Sequence, residues 1–120
     1  MPESRFPRWV YGRGSEPDAR FSLANERTFL AWVRTALALI AGGVALEALS
    51  LPIHPGLRLA AALVLLGLGL VVPLLGWFNW GLVERAMRDQ RPLPASLVGL
   101  PVAVGVTVVA VLLVLGVLLR

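Results

Sequence analysis

Residues 24–46 read ANERTFLAWVRTALALIAGGVAL. From Phe29 onward the run is apolar enough for a membrane-crossing helix. Yet Asn25, Glu26 and Arg27 stand at its mouth and Arg34 lies inside it. A charged side chain at the centre of a bilayer costs about 2.5–3.5 kcal/mol on insertion scales, so an arginine placed there needs a reason.

Crossing a bilayer as a helix takes about 20 consecutive apolar residues, and the chain supplies three such runs. The first covers about 28–51 and is broken only by Arg34 and Glu47. The second, about 57–80, carries Arg58 at its edge, and the third, about 96–119, holds no charge. With 58% hydrophobic residues and a mean hydropathy of +0.79, the expected class is an all-α membrane protein. It has three transmembrane helices in one domain (22–120) behind an N-terminal segment (1–21). The first 28 residues are polar and lack the apolar core of a signal peptide, so the first span is expected to be retained.

The prolines and glycine of LPIHPG (51–56) imply a tight antiparallel hairpin between the first two spans. VERAMRDQRPLPA (83–95) is a charged connection punctuated by prolines before the third. Ser22, in FSLANE, is a suitable N-cap that starts the first helix one to two turns before the membrane. Arginines 5, 8, 13, 20 and 27 precede the first span and arginines 85, 88 and 91 follow the second, whereas the other flanks hold only Arg58, His54 and Arg120. The positive-inside bias therefore predicts a cytoplasmic N-terminus and an external C-terminus, with Trp77 and Trp80 at the cytoplasmic interface.

The chain has no cysteine and one histidine, His54, which sits in the hairpin turn. That removes disulfides, thiolate chemistry and cysteine metal sites, and makes a histidine metal centre within one chain unexpected. Neither a catalytic acid–base pair nor a cofactor site is expected. Membrane orientation accounts for the net charge of +4 better than nucleic-acid binding does.

Positions seven apart on a helix differ by only about 20°. Arg20, Arg27 and Arg34 therefore stack along one face, shared with Ala31, Ala38, Ala41 and Ala45, while Phe29 and Trp32 point away. Small residues let membrane helices approach closely, so this face is expected to pack against protein. Arg34 either snorkels back over about 8–10 Å or pairs with Glu26, Glu84 or Asp89. Glu47 reads as an outer-interface carboxylate within reach of Arg58 across the hairpin, in preference to a proton relay. Ala62, Gly69 and Gly76 form a small stripe on the second span, which also holds the helix-kinking Pro73, and Gly99, Ala103 and Thr107 form another on the third. Three helices bury little area alone, which favours a homo-oligomer in the lipid bilayer.

The core ANERTFLAW-RT-LAL, within residues 18–46, resembles the YidH-like family of small bacterial inner-membrane proteins (domain of unknown function 202). The three-span layout extends the resemblance over about residues 18–120. The pattern is also similar to the small three-helix subunit of the vacuolar transporter chaperone complex. The resemblance implies an inner-membrane location and a ring of subunits, five-fold in that complex, around a polyanion path. By position, Arg20 matches a basic pore-entrance residue, Arg27 the basic residue beside the acidic one (here Glu26), and Arg85 and Arg88 a basic cluster. Arg34 belongs to the bacterial pattern alone.

Two functions follow as expectations. One is a homo-oligomer whose arginine-lined cytoplasmic vestibule (Arg20, Arg27, Arg34, Arg85, Arg88) binds or conducts anions such as phosphate or polyphosphate. The alternative is a non-conducting scaffold or accessory subunit, with Asn25 and Glu26 as a polar cluster and Glu26 bonded to Arg85 or Arg88. Residues 1–17, with an aromatic-basic patch at Trp9 and Tyr11, are read as an untethered tail or one resting on the membrane surface.

Overall fold

The computed structural model describes residues 5–120; the first four residues of the N-terminal segment lie outside this range. The described chain contains four helices: α1 (Arg8–Tyr11), α2 (Ala19–Ala48), α3 (Pro55–Arg88) and α4 (Gly99–Leu118). α2, α3 and α4 are each long and apolar enough to cross a membrane. At 1.5 Å per residue α4 is about 30 Å long, the thickness of a hydrocarbon core, whereas α3 at about 51 Å outruns it. The excess of α3 carries the polar turn from Glu84 to Arg88.

Local chemistry sets the helix ends. Asp18 caps α2, its carboxylate accepting the Arg20 N–H at 2.8 Å. The expected cap, Ser22, instead lies inside the helix, because the carboxylate four residues earlier already satisfies the free amides. His54 caps α3 by accepting the Leu57 N–H on Nδ1 at 3.3 Å, and Pro55 follows at the first helical position. α3 ends in a left-handed residue, Gln90 (φ 54°), with the Arg91 N–H donating to the Ala86 carbonyl, the closure expected of a Schellman cap. Pro73 sits within α3, which continues through it.

α3 is the central element, with α2 on one side and α4 on another; α2 and α4 do not pack on each other. The small stripe of α3 is a packing face. Ala62 is buried beside Gly43, Gly69 lies under Ile40, and Gly76 lies under Trp32 and Phe29. Bulky α2 side chains thus fill the hollows left by small α3 residues. Val72 is fully buried in a core shared with Ala36, Leu39 and Val98. α4 turns Val98, Gly105, Val109 and Gly116 inward, so its Ala103 and Thr107 are left exposed rather than packed.

The same arrangement corrects the expectation for α2. The face that packs within the chain holds Asn25, Ala36, Leu39 and Gly43, about 180° from Arg34 at 100° per residue. Ala31, Ala38, Ala41 and Ala45 are all exposed. The small-residue, arginine-bearing face is the outer edge of the three-helix layer, not its interior.

Candidate functional site at the arginine-rich end

The N-terminal segment, the start of α2 and the end of α3 meet at one end of the molecule. Two buried polar residues join the helices there. Asn25 Nδ2 donates to the Trp80 carbonyl at 3.0 Å and to Glu84 Oε1 at 3.2 Å, and the Ser22 hydroxyl donates to Glu84 Oε2 at 3.2 Å. Asn25 and Glu84 are nearly inaccessible, at 8% and 3% exposure. Asn25 is therefore the bolt between α2 and α3, which accounts for an amide at the mouth of the apolar run.

Arg27 and Arg34 lie on the opposite side. They flank a depression of about 330 Å³ completed by Thr28, Leu30 and Ala31. Both are exposed, and neither forms an ion pair or side-chain hydrogen bond among the described residues. The three carboxylates expected as partners for Arg34 are placed elsewhere. Glu84 is held under Asn25, Asp89 pairs with Arg13 and Arg91, each at 3.1 Å, and Glu26 lines a different groove. Arg20 pairs with Asp18 at 3.0 Å, at the start of the same row.

Arg85 and Arg88 do not join that row. Arg88 is 4% exposed. Its guanidinium donates to Glu16 at 3.0 Å, to the Arg13 carbonyl at 2.8 Å and to the Tyr11 carbonyl at 3.1 Å. Arg85 is half-buried, and its Nε has no hydrogen-bond partner among the described residues. The expected pair of Glu26 with Arg85 or Arg88 does not form, because Glu16 and backbone carbonyls from the N-terminal segment reach Arg88 first. At the far end of the hairpin Glu47 does pair with Arg58, at 3.4 Å.

The described part of the N-terminal segment is pinned rather than loose. Trp9 stacks on Phe78 with centroids 5.6 Å apart and meets Trp77 edge-on at 6.1 Å. Its ring occupies the space where Gly81 has no side chain. Val10 is fully buried, and the Ser15 N–H donates to the Arg88 carbonyl at 3.0 Å. Gly14 takes a left-handed conformation (φ 68°) against the Arg88 backbone, an approach that a side chain would block. This replaces the expected untethered or membrane-resting tail with a docked one, because its aromatic partners Trp77 and Phe78 lie about 70 residues away in the chain, where no local pattern reveals them.

Between this segment, α2 and α3 lies a groove of about 500 Å³, absent from the sequence-based expectations. Phe29, Trp77 and Trp80 give it aromatic walls, while Glu16, Glu26 and Glu84 contribute carboxylates. At its rim the Arg5 guanidinium lies 4.3 Å from the Tyr11 ring centroid and bonds Glu16 at 2.5 Å. The Arg5 hydrogen bond holds the Glu16 carboxyl below its usual range, and Arg20 does the same to Asp18. Burial raises the Tyr11 phenol. Among the described residues no three of the His, Asp and Glu side chains gather as a metal ion would require.

The family model for a domain of unknown function (DUF202) matches residues 20–86, which include α2, the hairpin and α3 as far as the Asn25–Glu84 bolt. An uncharacterized protein of Mycobacterium tuberculosis is 47% identical over 97 residues, 80% of each chain. The inner membrane protein YidH of Escherichia coli K12 is 43% identical over 100 residues, 82% of this chain and 87% of YidH. No solved structure matches the chain significantly. With three spanning helices and this kinship, the chain is a small multi-pass inner-membrane protein and belongs to the DUF202 family.

Proposed function

We propose that this protein is not an enzyme but a homo-oligomer, with several α2 helices arranged so that Arg20, Arg27 and Arg34 line a vestibule for phosphate-class anions. The observation that carries the reading is the uncompensated pair Arg27 and Arg34 around their depression. Among the described residues no carboxylate forms an ion pair with either, and Glu26, their neighbour in sequence, is turned into the other groove. An unpaired arginine on the lipid side of a span carries an insertion cost of about 2.5–3.5 kcal/mol, so the row belongs against protein or water. A second copy is the fitting cover, because Ala31, Ala38, Ala41 and Ala45 continue the row as a strip shallow enough for close helix approach. Brought together, the arginines repel one another until anions fill the space, and such a field concentrates anions at its mouth. The arginine bias supports a cytoplasmic position for this mouth and the N-terminus. Arg88, locked to Glu16, contributes structure rather than lining.

Phosphate release from loaded liposomes tests the reading. The wild type is expected to release phosphate well above protein-free liposomes, and Arg27→Ala/Arg34→Ala to lose most of that flux while keeping its fold. No wild-type flux, or equal flux in the double variant, rejects the anion path. Absence of flux together with a stoichiometric co-purifying protein assigns the arginine face to a scaffold instead.

A further inference from the structure

We propose that the groove between the N-terminal segment, α2 and α3 is a binding site for an organic ammonium ion. It is separate from the arginine face, and its chemistry has the opposite sign. Glu84 is the first reason. It is a carboxylate at 3% exposure whose hydrogen bonds among the described residues come from neutral groups, the Asn25 amide and the Ser22 hydroxyl. A buried carboxylate is ordinarily balanced by a cation; the Arg5 guanidinium at the rim attracts this one through space, but no cationic side chain of the described chain bonds to it. Glu26 supplies a second carboxylate to the groove, and it too has no bonded partner among the described residues.

The walls give the second reason. Trp77, Trp80 and Phe29 present aromatic surface to the same space, and the negative faces of such rings attract cations, indole most strongly. The rim already displays this chemistry with the protein's own cation, the Arg5 guanidinium over the Tyr11 ring and bonded to Glu16. Glu16 is therefore taken, and the acceptors left for a ligand are Glu26 and Glu84. A volume of about 500 Å³ is within the range of small-molecule sites. The shared recognition element is an alkylated or primary ammonium group, carried either by a lipid headgroup or by a soluble amine.

The full chain in phosphatidylglycerol nanodiscs is titrated with tetraethylammonium chloride, against sodium chloride at equal ionic strength, and tryptophan emission is followed. Saturable quenching by tetraethylammonium alone is expected. Glu26→Gln should weaken it about fivefold, since a charge partner is lost from the rim of an aromatic-walled groove, and Glu84→Gln at least as much. Glu26 is exposed and bonds to nothing in the described chain, so its variant retains the fold even if that of Glu84 does not. No saturable response in the wild type, or an unchanged response in Glu26→Gln, overturns the proposal. Repeating the titration with phosphatidylethanolamine in the discs separates the sources. Suppression of the response assigns the site to a lipid headgroup, and an undiminished response assigns it to a soluble ammonium compound.

Discussion

Glu16 holds two guanidiniums at once, Arg5 at 2.5 Å and Arg88 at 3.0 Å, and through Arg88 it ties the N-terminal segment to the end of α3. Its folded carboxyl is held below the ordinary range, first by the Arg5 hydrogen bond. A carboxyl depressed in the folded state favours docking at pH above its unfolded value, near 4.3 for a glutamate. That contribution falls away as pH drops through the lower folded value. Acidification from neutral pH should therefore release the segment below about pH 4, read as a change in Trp9 emission with Trp9→Phe as the reference. Glu16→Gln should show a weakened clasp already at neutral pH and a flatter acid transition. An identical acid transition in both proteins would remove Glu16 from the clasp.

At the scale of elements, α2 presents two unlike faces. One inserts Phe29, Trp32 and Ile40 over the small stripe of α3; the other exposes alanines and arginines. Gly69 is the tightest part of the stripe, since an added Cβ would lie within the Ile40 side chain. Gly69→Ala should destabilise the reconstituted protein by about 1–3 kcal/mol, the usual cost of overpacking. Ile40→Ala, which empties the same space, should restore part of that loss in the double variant. Additive losses in thermal unfolding would show that the two residues do not share the contact. The seven-residue spacing placed Arg20, Arg27 and Arg34 on one row without any structure, because helical geometry is fixed by the backbone. It did not reveal which side of α2 packs within the chain. Small residues mark close approach without naming the partner, and α3 supplies its own small residues to receive α2's large ones.

At the scale of the molecule, a layer with α3 in the middle leaves the arginine edge of α2 without a cover from the described residues. Because the protein has no cysteine, a single introduced thiol reports on that edge alone. Ala38→Cys, one helical turn beyond Arg34 and exposed, should give dimers and larger species in membranes with a short bis-maleimide. Leu70→Cys, on α3 at 69% exposure, should remain monomeric. Equal yields from both positions, or none from Ala38→Cys, would reject assembly through α2.

Three membrane spans, the tight hairpin and the Glu47–Arg58 pair could all be read from the order of residues, whereas the connection expected from residue 83 is helical as far as Arg88, because its polar residues extend α3 beyond the apolar run. Hydropathy, helix punctuation and short-range pairing are local properties of a chain. The fate of each charge at the arginine-rich end was decided only by tertiary structure. Arg88 looked like one more basic residue of a connection, yet it meets Tyr11, Arg13 and Glu16 from more than 70 positions away. Asn25, Ser22 and Glu84 become one network only when α2 lies on α3. An ionic or polar group binds whatever the fold brings within about 3 Å, and sequence distance says nothing about that. The mouth of the opening stretch therefore divides in three: Asn25 bolts α2 to α3, Glu26 turns into the aromatic groove, and Arg27 joins Arg34 on the open edge.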